Sequence, residues 1–259
     1  MTTTNPAAPA APLAPPDPAR IAKTVATKLP FRGDVTGLTP LAGDASNRRY
    51  FRVALKGKPS ALILMQLADP EGFKKSEEAV SGASVQIAEL PFTNVLAHLQ
   101  RTGVTVPQLH YYDREAGLLY LEDFGDLTLA EACRDADRAR LVSLYRQAID
   151  QLVLLQVKGT QPPAPGCIAF HRGFDVPLLM WEFDHFLEYG IVARLGQPMK
   201  PADDKAVRAE FQRIAELLAG QPQVFVHRDY HSRNLMVDGS RIGVIDFQDA
   251  LMGPATYDL

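Results

Sequence analysis

The chain has 259 residues, 46% of them hydrophobic and 22% charged, with a formal net charge of −3. That length holds one large domain or two lobes with a core each, and the balance excludes a chain disordered throughout. The slight acidity gives no broad electrostatic reason to hold nucleic acid, and no apolar run approaches the roughly 18 residues that span a bilayer, so neither partner is expected.

In chain order, the opening MTTTNPAAPAAPLAPPDPAR carries proline at 6, 9, 12, 15, 16 and 18. Prolines at that density break helices, and no basic segment precedes an apolar one, so residues 1–20 read as a disordered tail and not a secretion signal. Leu38 to Leu41, Tyr50 to Leu55 and Ala61 to Leu67 are short apolar runs separated by the turn-rich GDASN and KGKPS, and predict a small antiparallel sheet. Pro91 can open a helix that Gly103 ends, with Phe92, Val95, Leu96 and Leu99 on one face; it is expected to pack on that sheet. Gln108 to Tyr112 and Leu118 to Glu122, joined by DREAG, complete the strands of this part.

Beyond EDFGD the pattern becomes helical. Leu141, Tyr145, Ala148, Leu152 and Leu155 recur at helical spacing, with Gly159 as the expected stop. Pro177 to Tyr189 and Pro201 to Ala219 each have proline near the start and glycine just past the end. Strands return at Val224 to Val226, Leu235 to Val237 and Ile242 to Ile245. The order predicts an α+β chain: a β-rich N-terminal lobe over 21–123, a connector near 122–127, and a mainly helical C-terminal lobe over 124–259. A cleft between lobes is the expected ligand site. Cys133 and Cys167 lack CxxC spacing, which excludes a zinc site or disulfide framework and fits free thiols in the cytoplasm.

The densest chemistry lies in VHRDYHSRNLMVDGSRIGVIDFQDA, residues 226 to 250, with four aspartates, two histidines and an asparagine. Such a cluster suits a metal, an acid/base pair or a solvated turn, and a single loop aspartate is more often a turn former. Asp229 and Asn234 are five apart, and Asp246 follows twelve later at a strand end, so a hairpin would gather all three. A carboxylate with an amide oxygen suits Mg²⁺, which keeps waters and shares substrate phosphates. The remaining carboxylate is then free to accept a hydroxyl proton, the division of labour that phosphoryl transfer uses.

HRDYHSRN resembles the kinase catalytic loop H-R-D-x-x-x-x-N, and IDFQDA resembles the metal-binding segment of the aminoglycoside/choline phosphotransferase branch of the protein kinase-like superfamily. With GPATYDL, these stretches are most similar to bacterial anomeric kinases of N-acetylmuramate and N-acetylglucosamine that serve cell-wall (peptidoglycan) recycling. The resemblance runs from Leu38 to Leu259 and implies a bilobal kinase-like fold, ATP and Mg²⁺ as cofactors, and a small amino sugar as substrate. It implies Asp229 as catalytic base, Asn234 and Asp246 as magnesium ligands, His227 as packing behind the loop and Asp258 as its brace. Arg233 is an intervening position within reach of phosphate or substrate, and Asp249 supports either the metal segment or the acceptor. Relatives continue past the equivalent of Leu259, so the wall of the acceptor site is expected to be incomplete.

On the nucleotide side, GDASNRRYFRV lies where kinases hold the ATP phosphates, which makes Gly43, Ser46, Asn47 and Arg48 candidate contacts; an unliganded polar turn is the competing reading. The backbone of Glu122 to Phe124 resembles the adenine-binding hinge, although a buried strand and turn explains the same residues. The strand ALILMQL lacks the lysine that kinases use on the α- and β-phosphates. For the acceptor, DVPLLMWEFDHFLEYG places Trp181, Asp184, His185 and Glu188 on one helical face, and the resemblance favours Glu182 near substrate; a core stripe including Leu178 is the alternative. Two other functions stay open: a choline- or aminoglycoside-type small-alcohol kinase, and a non-catalytic pseudokinase, which the missing lysine favours.

Overall fold

The computed structural model describes residues 14–41, 48–67 and 89–259. These form two compact units, the first from the described residues up to 67 with Gln108–Asp123, the second from 89–107 with Phe124–Leu259.

The first unit opens with α1 (Pro18–Lys28), which begins inside the stretch read as tail. Its signal is short: the Asp17 carboxylate caps the Ala19 N–H at 2.9 Å and Pro18 takes the first turn, where its missing N–H costs nothing. Ile21 and Val25, one turn apart, then bury fully. Strands β1 (Asp34–Pro40), β2 (Arg48–Lys56) and β3 (Ala61–Leu67) pair antiparallel in sequence order.

The second unit receives α2 (Pro91–Thr102), ended by Gly103 at φ 84°. Two polar residues of this helix are tied into the second unit. Asn94 and His98, one turn apart and buried, bond the second unit: Asn94 Nδ2 donates to Gly166 O at 2.8 Å, Asn94 Oδ1 accepts from Ile168 N–H at 2.8 Å, and His98 Nε2 meets Gly159 O at 2.8 Å. The apolar stripe alone does not reveal that the adjoining face is buried too.

Strands β4 (Leu109–Asp113) and β5 (Leu118–Leu121) return to the first unit and complete a five-stranded antiparallel sheet of order β1-β2-β3-β5-β4. Phe51, Val53 and Leu55 alternate along β2, and Leu62 and Leu64 along β3, so one face meets Ile21, Val25 and Leu29. Each such side chain removed from water contributes about 1.5–3 kcal/mol. Arg20 ties α1 to β4 by a two-pronged bond to Asp113 at 2.7 and 2.9 Å.

In the second unit, Thr128 and Glu131 form a reciprocal cap on α3 (Leu129–Ala132), and Asp137 caps α4 (Arg138–Thr160) through the Arg140 N–H. The buried stripe of α4 is Leu144, Ala148, Leu152, Leu155 and Gly159, whereas Tyr145 lies in solvent. The helix does not stop at Gly159. That residue is inside it because a Cβ there would stand 3.3 Å from the Phe225 ring. After a 3₁₀ turn at Ile168–His171, α5 (Val176–His185) is capped by Asp175. It runs on as a π-helical segment, Phe186–Ala193, past the stop expected after Tyr189. Gly190 is again a packing residue, since a Cβ would meet the Phe186 ring at 3.0 Å.

Helix α6 (Pro201–Ala219) leads to β6 (Gln223–Val226), β7 (Leu235–Asp238), β8 (Arg241–Val244) and β9 (Leu251–Pro254). β6 pairs with β9 and β7 with β8, both antiparallel. Phe174, Leu178, Leu179, Ala215, Val226 and Leu251 form the core that seats α5 and α6 beside β6 and β9. No helix among the described residues is long and apolar enough to cross a membrane.

Candidate active site

β6 ends at Val226 and the chain turns at His227 into the loop that carries Asp229. Asp258 braces this turn: its Oδ2 accepts the His227 N–H at 2.7 Å and its Oδ1 the Arg228 N–H at 3.0 Å. Burial pushes the Asp258 carboxyl up to about 6, against the two N–H groups that favour its charge. His227 is fully buried; its Nδ1 accepts the Asp229 N–H at 3.3 Å, so its proton sits on Nε2, directed at Ile245 O at 2.9 Å. Burial lowers this imidazole to about 4, and it is neutral at pH 7.

Residues on both sides of Asp229 are tethered in separate directions. Tyr230 donates its hydroxyl to Ala148 O in the middle of α4 at 2.6 Å. Arg228 stands at φ 79°, a left-handed conformation that side-chain-bearing residues adopt rarely. Its guanidinium donates to Glu182 Oε1 on α5 at 2.9 Å and lies 5.9 Å from the Phe174 ring centroid. Burial opposes the Arg228 charge, but the Glu182 carboxylate outweighs it and the guanidinium is held protonated more firmly than usual.

Within the loop, Asp229 O accepts from the His231 N–H at 2.8 Å and from Asn234 Nδ2 at 3.0 Å. The hairpin β7–β8 then brings Asn234 O to the Ile245 N–H at 3.0 Å, which sets Asp246 beside the loop. Asp246 is at φ 64°, which a short polar side chain tolerates. Gln248, almost fully buried, donates Nε2 to Asp246 Oδ1 and to Asp249 Oδ2, both at 3.0 Å. Phe247 between them stacks on Phe92 at 5.1 Å. Although Asp229 is open to solvent, desolvation by the loop packed around it, and then the Asp246 charge, raise its carboxyl above the ordinary range, which suits a proton acceptor.

No group of three or more His, Cys, Asp or Glu is placed to hold a metal among the described residues. An all-carboxylate cage is therefore not what this site offers. The Asp246 carboxylate and Asn234 amide oxygen fit Mg²⁺ instead, which takes few protein ligands and completes its shell with water and phosphate.

The other expected site residues are distributed more widely. Gly43, Ser46 and Asn47 lie outside the described residues. Arg48, mostly buried, opens β2 opposite Leu67. In the first unit, the Glu122 N–H donates to Gln108 O at 2.9 Å and its Oε2 accepts the Gln108 N–H at 3.1 Å, so that N–H is used by the fold and not available to an adenine edge. Phe124 is buried in the second unit, where its ring fills the space above Gly243 beneath the Arg241 guanidinium. Arg233 is exposed. Trp181 and His185 share a face of α5 with ring centroids 3.8 Å apart, while Asp184 pairs with Arg208 of α6. Glu182 meets Arg228, a contact between residues 46 apart that no local pattern announces. Beyond nearness to the motif, no sequence pattern points to Gln248 or to the Tyr230 anchor.

The described geometry is thus a loop carrying a braced aspartate, followed by a hairpin that sets an asparagine and a second aspartate beside it. The sequence matches the phosphotransferase enzyme family (APH) over residues 37–259, and the chain belongs to it. It is 34% identical over 226 residues to the N-acetylmuramate/N-acetylglucosamine kinase of Pseudomonas putida, a match covering 86% of this chain and 58% of that protein. It is 30% identical over 223 residues to the same-named kinase of Neisseria meningitidis, covering 86% and 59%. The chain thus spans about three fifths of the length of these relatives. Among solved structures, ADP-bound aminoglycoside phosphotransferase APH(2'')-Ib matches 93% of this chain and 74% of that one with a TM-score of 0.57 and 13% identity. A choline/ethanolamine kinase family protein from Mesorhizobium loti matches 93% and 67% with a TM-score of 0.53 and 18% identity. These likenesses establish the fold, an α+β kinase-like architecture.

Proposed function

We propose that the protein is an ATP- and Mg²⁺-dependent kinase that phosphorylates the anomeric hydroxyl of N-acetylmuramate or N-acetylglucosamine, a step of peptidoglycan recycling. The observation that carries this reading is the convergence of Asp229, Asn234 and Asp246 on one loop and hairpin, in a chain one third identical to kinases named for those sugars.

Asp229 is the proposed base. Its backbone is fixed on both sides, so its carboxylate is already oriented when the acceptor hydroxyl arrives, and its raised proton affinity favours receiving that proton. Asn234 and Asp246 are the proposed Mg²⁺ ligands, and the ion when bound neutralises charge on the transferring phosphoryl group. Gln248 holds the Asp246 carboxylate in place for that role. Arg233 and Asp249 are the proposed acceptor contacts. Arg48, the Glu122 carbonyl and the Phe124 backbone are the proposed nucleotide contacts, together with Gly43, Ser46 and Asn47. ATP dependence and two free cysteines support a cytoplasmic setting.

The test is acceptor-dependent ADP release with N-acetylmuramate, N-acetylglucosamine, choline and kanamycin in parallel. Faster turnover with the two N-acetylated sugars is expected. Preference for choline or kanamycin would reassign the acceptor. The absence of lysine from Ala61–Leu67 favours a second reading, a non-catalytic pseudokinase that binds nucleotide poorly and serves as a binding module. No acceptor-dependent ADP release with any member of the panel, together with no binding of Mg-ATP, would support it.

A further inference from the structure

We infer that Arg228 and Glu182 form a positioning pair, through which helix α5 holds the Asp229 carboxylate in the orientation that accepts a proton. The inference rests on Asp229 being the base, and it gives Glu182 a partner in the protein in place of a hydroxyl of the acceptor.

Four observations carry it. Arg228 immediately precedes Asp229 and sits at φ 79°, a conformation that persists only where the surroundings impose it. Both ends of Arg228 are held: its N–H by Asp258 Oδ1 at 3.0 Å, its guanidinium by Glu182 Oε1 at 2.9 Å with the Phe174 ring alongside. With both ends fixed, the peptide leading to Asp229 has little freedom left. The pair is also sheltered, with side chains only 23% and 31% exposed, unlike surface pairs that solvent screens to near insignificance. Lastly, Glu182 stands on a rigid support. Its helix is capped by Asp175 and anchored by buried Leu178 and Leu179 in the core that also takes in Val226, the last residue before the catalytic loop.

The geometry therefore links two elements that the sequence separates. A shift of α5 moves Glu182, and through Arg228 it moves the peptide that aims the base. The same helix presents the Trp181–His185 pair, so a ligand that rests on α5 acts on a segment mechanically joined to Asp229. Misplacement of a reacting group by about 1 Å costs on the order of 100-fold in rate, which sets the scale of the expected effect.

Glu182→Gln, Arg228→Met and the double variant are to be compared by steady-state kinetics and by amide hydrogen exchange. Glu182→Gln is expected to lower kcat roughly 10- to 100-fold with the acceptor KM changed less than about twofold, and the double variant to be no slower than Arg228→Met alone. Arg228→Lys, which keeps the charge, is expected to recover part of the loss. A large rise in acceptor KM with kcat retained would make Glu182 a sugar contact and overturn the inference, as would effects of the two substitutions that multiply. Exchange provides a readout independent of turnover: amides of residues 227–234 are expected to exchange faster in Glu182→Gln, with β1 and β2 unchanged as the control for folding. Unaltered exchange in 227–234 overturns the pairing even if no acceptor is turned over, whereas inactivity with altered exchange counts against the proposed reaction only.

Discussion

Replacing Asp258 by asparagine is expected to expose a pH dependence that the native protein masks. Asp258 and His227 are joined by a 2.7 Å backbone bond, and burial shifts their proton affinities in opposite senses. The Asp258 carboxyl rises from 3.8 to about 6, so its contribution to stability is full below pH 3.8 and is lost as pH rises through 6. The His227 imidazole falls from 6.5 to about 4, so its contribution is full above pH 6.5 and is lost as pH falls through 4. At about 1.4 kcal/mol per pH unit, each shift amounts to about 3 kcal/mol, and between pH 7 and 4 the two largely offset one another. Asp258→Asn removes the carboxyl contribution and leaves that of His227. The variant should therefore lose about 2–3 kcal/mol more than the native protein between pH 7 and pH 4. Any constant cost of the altered hydrogen bonds drops out of this comparison. Urea unfolding at half-unit pH steps measures it, and parallel curves for the two proteins would refute the reasoning.

Gly243→Ala places a Cβ 2.4 Å from Phe124 Cε2 on a buried ring, and a loss of about 1–3 kcal/mol is expected in urea unfolding, partly recovered by adding Phe124→Leu; an unchanged midpoint would show that the ring moves freely. Tyr230→Phe removes the 2.6 Å bond to Ala148 O and is expected to cost about 0.5–1.5 kcal/mol by thermal unfolding, with a lowered kcat because the residue after the base is released. Gln248→Leu removes the amide that bridges Asp246 and Asp249, and the Mg²⁺ concentration giving half-maximal activity is expected to rise about 10- to 100-fold. An unshifted Mg²⁺ titration would separate Gln248 from the metal.

The sequence is legible where a local rule is strong. Pro91 and Gly103 bound α2, Pro201 opens α6, and the alternation of Phe51, Val53 and Leu55 fixes the buried face of β2. The spacing from Asp229 to Asn234 to Asp246 foretells a hairpin, and β7–β8 is that hairpin. The pattern misleads where glycine acts as a packing residue. Gly159 and Gly190 look like helix stops, yet each makes room for a phenylalanine from elsewhere or one turn earlier. It is silent on long-range polar contacts. Asn94 with Gly166, Tyr230 with Ala148 and Arg228 with Glu182 join residues 72, 82 and 46 positions apart, and neither period nor propensity encodes such partners. The support of the site was thus the least readable part, although its chemistry lay in one contiguous motif.

On the proposed reading, Asp229 directs phosphoryl transfer to an anomeric hydroxyl. The most direct test of that reading is ³¹P NMR of the product formed from Mg-ATP and N-acetylmuramate by the native protein and by Asp229→Asn. A sugar 1-phosphate is expected from the native protein, formed about 10²- to 10⁴-fold more slowly by a variant that still binds Mg-ATP. Phosphate on any other oxygen, or a variant as fast as the native protein, would contradict it.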